Sequence, residues 1–382
     1  MKYPDTKLPK VGTTIFTLMS KLAAEKGAIN LSQGFPDFDG PEALRERVGH
    51  YIARGANQYS PMTGAPGLRQ AIADKVKYHY GAEICPEQEV TVTSGASEAI
   101  FAAITAVVSA GDEVIVFDPA YDCYEPAIEL SGGRAVHLQL QPPAFSIDWQ
   151  QLTAAISDRT RMIILNSPHN PTGAVLSAED LDRLAALLAD SDILLLGDEV
   201  YEHIVFDGAP HQSLLRHPQL RGRSFVVSSF GKTYHTTGWK VGYCCAPPQL
   251  SAELRKVHQY LTFCTTTPMQ LALADYMAQD PEYGDHLPGF YQQKRDLFCQ
   301  LMAHSRFRFT PATGTYFQLM DYSAISDLPD TEFCQWLVDS AGVAAIPVSV
   351  FCETPPQSRL VRFCFAKDDA TLRAAAEKLC QL

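Results

Sequence analysis

At residues 228–240 the chain reads SSFGKTYHTTGWK, directly after the apolar run Phe225-Val226-Val227. An apolar run bounded by turn residues is typical of a buried strand, so this segment brings a lysine to a strand end. That lysine, Lys232, has glycine, serine and threonine around it, unlike a solvated surface lysine. A lysine that forms a Schiff base must be partly desolvated, because only its neutral amine is nucleophilic. We therefore predict that Lys232 forms a Schiff base.

Length, composition and charge limit the class of protein. The chain has 382 residues, of which 46% are hydrophobic and 19% charged, so a folded large domain with a smaller companion is expected. The formal net charge is −12, from 31 Lys and Arg against 43 Asp and Glu. This balance argues against a nucleic-acid partner, although scattered basic residues can still form a local anion pocket.

Ten cysteines are spread singly, apart from Cys244-Cys245, and no C-x-x-C pair has metal-ligand spacing. We predict reduced thiols and no metal site. The start of the chain, Met1 to Asp5, lacks the apolar core of a signal peptide, and no apolar run approaches the ~20 residues of a membrane span. A cytoplasmic protein without a membrane partner is expected.

The middle of the chain repeats one unit, in which a short apolar strand leads through a polar loop into a helix. Continuously apolar strands separated by helices such as Ala178–Ala189 predict a mainly parallel sheet that is covered on both faces. The five predicted strands are Glu89–Thr93, Glu113–Phe117, Met162–Leu165, Ile193–Leu196 and Phe225–Val227.

The two ends of the chain differ from this middle part. Helices are predicted at 13–24, 41–53 and 68–80, with a long polar loop at 58–67 that is expected to be functional. The last third predicts a smaller α+β domain, whose pieces are 314–317, 331–341, 343–350, 360–365 and 370–382. We assign residues 1–40 to an N-terminal arm that joins the small domain, 41–280 to the large domain and 281–382 to the small domain.

Polar residues follow several of the predicted strands, where ligands bind in open parallel sheets. The segment Ser94-Gly95-Ala96-Ser97 opens a helix, so its N–H groups can hold a phosphate, although simple helix capping is the alternative. Lys240 and Ser229 can add a charge and a hydroxyl to the same phosphate. Tyr121 can lie flat on an aromatic ring, or it can simply pack in the core.

Asp198 ends a fully apolar strand, where a carboxylate gains little unless it meets a cation or a donor. A protonated pyridine nitrogen is such a partner, and with Lys232 it indicates that the chain holds pyridoxal phosphate. Asn170 and Tyr201 can hydrogen-bond the ring oxygen, unless Asn170 is only a turn residue. Glu199 points the other way by strand alternation and is expected to be structural or solvated.

Arg362 interrupts the apolar strand Leu360–Phe365. Arginine is rarely buried without a partner, and its planar guanidinium matches a carboxylate. Two interpretations of Arg362 remain open at this point: it can form a structural ion pair, or it can bind the α-carboxylate of a substrate. In the second case the backbone near Gly34 can donate a further hydrogen bond to that carboxylate.

Together these motifs closely resemble the class I/II aminotransferases, which are pyridoxal-phosphate enzymes of fold type I. The motifs occur in one order over nearly the whole chain: Asn170-Pro171-Thr172-Gly173, Asp198-Glu199-Val200-Tyr201, Ser229-Phe230-Gly231-Lys232, Gly238-Trp239-Lys240 and Arg362. Residues 31–38 and 59–64 resemble the kynurenine/glutamine aminotransferase branch. Residues 12–16 and 257–263 bring the chain nearest to bacterial methionine aminotransferases.

The resemblance implies an α/β fold with a mainly parallel seven-stranded sheet and a smaller α+β domain. It also implies a reaction, the transfer of an amino group from methionine or aromatic amino acids to a 2-oxo acid. It implies Lys232 as the Schiff-base lysine and proton shuttle, and Asp198 at the ring nitrogen. It also implies Asn170 and Tyr201 at the ring oxygen, Tyr121 on the ring, and Ala96, Ser97, Ser229 and Lys240 at the phosphate of pyridoxal 5'-phosphate. The substrate carboxylate would meet Arg362, Asn170 and Gly34.

The family's dimers share their active sites, so a homodimer in which Tyr59 reaches the neighbouring subunit's phosphate is implied. Lys240 stands where many relatives of the aspartate branch carry arginine. The phosphate would therefore meet the compact charge of an ammonium group in place of a planar guanidinium. Phe16, Phe263 and Tyr124 can form a wall for a thioether or aromatic side chain, or they can be core residues. No second arginine is placed for a side-chain carboxylate, which disfavours aspartate and glutamate as donors.

Two other functions remain open. A C–S β-lyase uses the same lysine and cofactor, so the motifs do not separate it from an aminotransferase. A ligand sensor of aminotransferase shape belongs to a different class. Such sensors carry an additional basic DNA-binding domain, and the chain begins directly at the predicted arm.

Overall fold

The computed structural model describes residue 3 and residues 5–382. Positions 1, 2 and 4, which belong to the predicted arm, lie outside the described residues. No helix in the described part of the chain is both long enough and apolar enough to span a membrane.

Helices and strands alternate through most of the chain. The helices are α1 Ile15–Lys26, α2 Glu42–Ala53, α3 Pro66–Tyr80, α4 Ala96–Val107, α5 Tyr124–Leu130, α6 Trp149–Ala155, α7 Ala178–Leu187, α8 Pro218–Arg221, α9 Phe230–Thr233, α10 Pro248–Leu261, α11 Thr267–Gln279, α12 Tyr283–Met302, α13 Asp330–Ala341 and α14 Asp369–Leu379. The strands are β1 Ile29–Asn30, β2 Val90–Thr93, β3 Glu113–Asp118, β4 Arg134–Gln139, β5 Thr160–Asn166, β6 Leu194–Asp198, β7 Ser224–Ser229, β8 Gly242–Cys245, β9 Phe317–Asp321, β10 Val343–Ala344, β11 Ile346–Pro347 and β12 Leu360–Cys364.

Local sequence explains where several helices begin and end. The Ser177 hydroxyl accepts from the Asp180 N–H while the Asp180 carboxylate accepts from the Ser177 N–H, so a capping box starts α7. Asp368 caps the start of α14, because its carboxylate accepts a hydrogen bond from the Thr371 N–H in the first turn. Gly27 ends α1 in the left-handed conformation, with φ 63°, which glycine adopts without steric cost.

Seven strands form the main sheet, in the order β2-β8-β7-β6-β5-β3-β4. Only β8 runs against its neighbours in this sheet, so the predicted mainly parallel seven-stranded sheet is confirmed. All five predicted strands are present. Two strands of the sheet were not predicted: β4, a half-buried edge strand with polar residues, and the short β8.

Helices cover both faces of this sheet. Side chains of a strand point alternately to its two faces, and Ile115 and Phe117 of β3 accordingly enter one apolar core, whereas Val114 and Val116 enter the other. The first core packs against α3, α7 and α11, and the second packs against α4, α5 and α10. The predicted arrangement of helices on both faces is therefore confirmed.

A third apolar core surrounds a smaller antiparallel sheet with the order β11-β12-β9. Helices α12, α13 and α14 pack on it, and α1 and the parallel pair β1–β10 join it from the N-terminal side. Tyr201, Ile204 and Phe206, which follow β6, also enter this core. The sheet organisation matches the expected smaller α+β part, while the exact domain boundaries remain a proposal.

Some local boundaries in this part were wrong. The segment 343–350 contains two strands of two residues and a short 3₁₀ turn rather than one element. At 314–317 the strand begins only at Phe317, because Thr315 has φ 63° and cannot continue an extended strand. The last third of the sequence also predicts a helix at 291–305, but helix α12 begins at Tyr283, eight residues earlier, with Pro288 inside it.

Candidate active site

A cavity of about 330 Å³ lies beyond the carboxyl ends of the parallel strands, between the main sheet and the small antiparallel sheet. This is where open parallel sheets bind ligands. The structure brings twelve of the predicted site residues into its lining: Phe16, Gly34, Ala96, Ser97, Tyr121, Asn170, Asp198, Tyr201, Ser229, Lys232, Lys240 and Arg362.

Lys232 lies on the short helix α9, directly after β7, and its side chain enters the cavity. Its Nζ donates to the Gly34 carbonyl at 3.2 Å and lies 3.0 Å from the Tyr316 hydroxyl. Burial lowers the pKa of Lys232 from 10.5 to about 8, and the cations Arg362 and Lys240 act in the same direction. The neutral fraction of this amine near pH 7 is therefore far larger than in an ordinary lysine, and the neutral form is the one that a nucleophile or a proton acceptor requires.

Asp198 ends β6 at the floor of the cavity and is 4% exposed. Its Oδ2 accepts a hydrogen bond from the Tyr124 hydroxyl at 2.6 Å. Burial raises the pKa of Asp198 to about 6, so the carboxylate is ionised in most molecules at pH 7 and has no cation in hydrogen-bond contact within the described chain. Tyr124 therefore supports a carboxylate and does not form the substrate wall that the sequence analysis considered.

Helix α4 begins at Ala96 with no side chain capping its first N–H groups, at one end of the cavity. The unpaired N–H groups of a helix start attract anions. A Cβ on Gly95 would lie 3.2 Å from Lys240 Nζ, which places the ammonium at this helix start. A Cβ on Gly242 would lie 2.8 Å from the Ala96 nitrogen, so glycine is required for strand β8 to approach so closely.

Asn166 and Asn170 follow one another around the cavity wall. The Asn166 amide donates to the Asp198 backbone carbonyl at 2.8 Å, and its Oδ1 accepts from the Asn170 N–H at 2.8 Å. Asn166 was missed in the sequence, although it ends β5 in register with Asp198. Asn166 could have been identified only from the register of β5 and β6, which the sequence alone does not show.

Arg362 lies on β12 and is 1% exposed. Its Nη1 donates to Asn170 Oδ1 at 2.8 Å and its Nη2 to the Ser32 carbonyl at 2.9 Å, whereas its buried Nε has no partner. Among the residues that the structure describes, no aspartate or glutamate pairs with it, so the structural ion pair considered above is absent. The guanidinium stacks on Phe317, 4.0 Å from the ring centre, and faces Phe16 at 5.3 Å.

Tyr201 and Tyr316 form the wall beside Lys232. Lys232 Nζ lies 5.3 Å from the centre of the Tyr201 ring, and the two tyrosine rings meet edge to face at 5.1 Å. Tyr316 was not predicted as a site residue, because nothing near it in the chain distinguishes it from a core tyrosine. Glu199 is buried and accepts from His211 and the Leu214 N–H, which agrees with the structural role expected for it.

Two predicted site residues lie outside the cavity. Tyr59 is 83% exposed and meets Phe263 edge to face at 5.4 Å. Phe263 is itself exposed and has φ 71°. Within one chain, therefore, neither side chain contacts the site formed around Lys232.

Comparisons with known proteins agree with this geometry. A family model described as aminotransferase class I and II matches residues 26–379. Methionine aminotransferase from Escherichia coli (strain K12) is 58% identical over 379 residues, which cover 99% of this chain and 98% of that protein. Human kynurenine–oxoglutarate transaminase 1 is 36% identical over 393 residues, which cover 94% and 93%.

The fold comparison gives the same result. The crystal structure of YbdL from Escherichia coli, for which a methionine aminotransferase function was identified, superposes with a TM-score of 0.98. The two chains share 57% identity, and each is covered completely.

Proposed function

The chain belongs to the class I and II aminotransferases, and we propose that it moves the amino group of methionine, and of aromatic amino acids, to a 2-oxo acid. It is thus a transferase. The observation that carries the substrate proposal is Arg362, a buried guanidinium that packs against the rings of Phe317 and Phe16 and whose Nε has no partner in the described chain.

We propose pyridoxal 5'-phosphate as the cofactor, because the donor groups around the cavity suit each part of it. Lys232 offers a partly neutral amine, and Asp198 offers a carboxylate without a cation in hydrogen-bond contact. The start of α4 and Lys240 offer a phosphate site. When bound, this cofactor supplies an aldehyde that combines with amino groups and a ring that withdraws electrons.

The residues of the chain then supply binding and proton transfer. Arg362 holds the substrate α-carboxylate with its free N–H groups, while Asn170 Oδ1 and the Ser32 carbonyl fix the plane of the guanidinium. Lys232 Nζ, partly neutral at pH 7, takes the proton from the substrate Cα and returns it to complete the transfer. Tyr316 and the Gly34 carbonyl hold Nζ in place when it carries that proton.

The charges that line the cavity favour an uncharged substrate side chain. Lys232, Lys240 and Arg362 are the cations among the lining residues, and each already has a role in the proposal. No described cation of the lining therefore remains for a second carboxylate. Phe16 and Tyr121 provide apolar surface instead, which suits a thioether or an aromatic ring.

The test is product analysis with a panel of amino donors. We expect kcat/KM for L-methionine and L-phenylalanine to exceed that for L-aspartate by at least about tenfold, since a charged side chain would be buried unpaired. The 2-oxo acid of the donor should form in step with the amino acid made from the acceptor. Higher activity with aspartate would refute the substrate proposal, and pyruvate with ammonia from a β-substituted cysteine would support the β-lyase instead.

A homodimer is also proposed, supported by an exposed apolar patch around the end of α10. Tyr59, Tyr260, Leu261 and Phe263 are all exposed although they are large and apolar, and such patches are typical of interfaces. We expect analytical ultracentrifugation of the parent protein to give the mass of two chains. In Tyr260→Asp the measured mass should fall towards that of one chain. The matched control Tyr78→Asp, at an exposed tyrosine away from this patch, should stay dimeric. A monomeric parent protein would contradict the proposal.

We propose that the enzyme works in the cytoplasm, because all ten cysteines are free and reduced thiols are typical of that compartment. Cell fractionation tests this directly. Recovery of the protein outside the cytoplasm would contradict the proposal.

A further inference from the structure

Tyr124 makes a contact that the reaction described above does not use. It is the first residue of α5 and is 3% exposed. In the sheet β5 lies between β3, which precedes α5 in the chain, and β6, so the Tyr124 side chain extends past β5 to reach the carboxylate at the end of β6. Its hydroxyl donates to Asp198 Oδ2 at 2.6 Å, a short distance typical of a bond to an ionised acceptor. Core packing alone would be satisfied by phenylalanine.

The two carboxylate oxygens of Asp198 consequently differ. Oδ2 accepts the hydrogen bond from Tyr124, whereas Oδ1, among the residues that the structure describes, accepts only a long bond of 3.4 Å from the Val200 N–H. The Asp198 backbone is fixed separately, because its carbonyl accepts from the Asn166 amide and the Ser167 N–H. Removal of the tyrosine hydroxyl would therefore free the side chain without moving the strand end.

The charged and titratable groups around Asp198 come from three elements. Lys232 on α9 favours its ionised form, Glu199 at the end of β6 opposes it, and Cys123 and Tyr121 lie just before α5. Burial raises the pKa of Asp198, and the Tyr124 hydroxyl is the strongest influence in the opposite direction. Burial also raises the pKa of Tyr124 far above its ordinary value, so its hydroxyl remains a donor.

We propose that Tyr124 is a positioning residue that keeps the Asp198 carboxylate ionised and oriented so that the cofactor ring nitrogen stays protonated. The inference rests on the proposed function, since it requires pyridoxal phosphate in the cavity. Tyr124 touches neither the substrate nor the cofactor in this scheme. It acts through Asp198.

The test uses protein reconstituted with pyridoxal phosphate labelled with ¹⁵N in the ring. In the parent protein the ¹⁵N chemical shift should be that of a protonated ring nitrogen. In Tyr124→Phe, which lacks only the hydroxyl, it should move towards the value of a neutral pyridine. Tyr322→Phe is the matched control, because Tyr322 is also fully buried and donates its hydroxyl to a backbone carbonyl, that of Leu328, far from the cavity.

A second measurement compares the dissociation constants of pyridoxal phosphate and its 1-deaza analogue, in which a CH group replaces the ring nitrogen. The preference for pyridoxal phosphate should fall about tenfold in Tyr124→Phe, because a charge-assisted hydrogen bond becomes a neutral one. The ratio for one protein sample is independent of the fraction that is folded, so a partly unfolded variant still gives a result.

The outcomes separate this inference from the function on which it rests. A parent protein that does not bind pyridoxal phosphate would refute the proposed cofactor. A parent protein that binds it, with an unchanged ¹⁵N shift and an unchanged preference in Tyr124→Phe, would overturn only the role of Tyr124. An equal change in Tyr322→Phe would also overturn it, because the effect would then come from the loss of any buried hydroxyl.

Discussion

Replacement of Arg362 by methionine tests how the site holds a carboxylate. The change removes the guanidinium but keeps an unbranched apolar chain that can pack over Phe317. Because Arg362 is 1% exposed and pairs with no carboxylate in the described chain, the substrate is its proposed anionic partner.

The expected magnitude follows from the donors that remain free on the guanidinium. A carboxylate can accept two charge-assisted hydrogen bonds from it, each worth about 1.5–3 kcal/mol. Their loss amounts to about 3–6 kcal/mol, so kcat/KM for L-methionine should fall by about two to four powers of ten.

Stability should change much less. The variant loses the bonds to Asn170 and the Ser32 carbonyl, about 1.5–3 kcal/mol each because the donor is charged, but it also removes a buried cation that pairs with no carboxylate in the described chain, and these contributions oppose each other. We expect Tm to stay within a few degrees of the parent value, since about 1 kcal/mol corresponds to roughly 2–4 °C or less in a chain of this size.

The assay compares L-methionine with 3-(methylthio)propylamine, which lacks the carboxylate, and follows the visible absorbance of the bound cofactor in single turnovers. Arg362→Met should lower the rate constant for methionine by the stated factor and leave that for the amine within about tenfold of the parent. Arg255→Met is the control, because Arg255 likewise donates to one side-chain oxygen, the Thr91 hydroxyl, and one backbone carbonyl, that of Val90, but lies outside the cavity. An equal loss for both substrates would refute a carboxylate-specific role.

Three further changes test other parts of the site. Lys232→Ala should abolish amino transfer yet keep the parent Tm within a few degrees; residual turnover above background would contradict the assignment. Capture of pyridoxal phosphate by Lys232 should accelerate about tenfold per pH unit below about pH 8 and level off above it, because deprotonation at its lowered pKa makes the amine nucleophilic; a rate that is flat below pH 8 would contradict this. Gly242→Ala, whose Cβ would lie 2.8 Å from the Ala96 nitrogen, should lower stability by about 1–3 kcal/mol and weaken cofactor binding, whereas Gly238→Ala, which meets no atom within 4 Å, should do neither.

The sequence predicted the main sheet well, because its strands are short apolar runs that end in polar loops. Strand β7 and the lysine after it were identified from this pattern alone. The edge strand β4 was missed, since its polar residues resemble a loop and its partner β3 lies about twenty residues earlier. The starts of α13 and α14 were predicted to within one residue, whereas α12 begins eight residues before its predicted start.

Site residues were predicted where a charged side chain interrupts an apolar segment, and not where a hydrogen-bond partner from another element decides the role. Lys232, Asp198 and Arg362 stand out in an apolar context, and the structure places all three in one cavity. Tyr124 was considered as substrate wall or core, because a sequence does not show that its hydroxyl reaches the end of another strand. Asn166 depends in the same way on strand register.

Pyridoxal phosphate at Lys232 is the central claim, and the visible absorbance of the purified protein tests it most directly. The protein, supplied with pyridoxal phosphate, is recorded before and after L-methionine and again after a 2-oxo acid, with Lys232→Ala alongside. We predict a yellow band that disappears with methionine and returns with the 2-oxo acid, and that differs in the variant. A protein that shows no such band even with added cofactor would contradict the account.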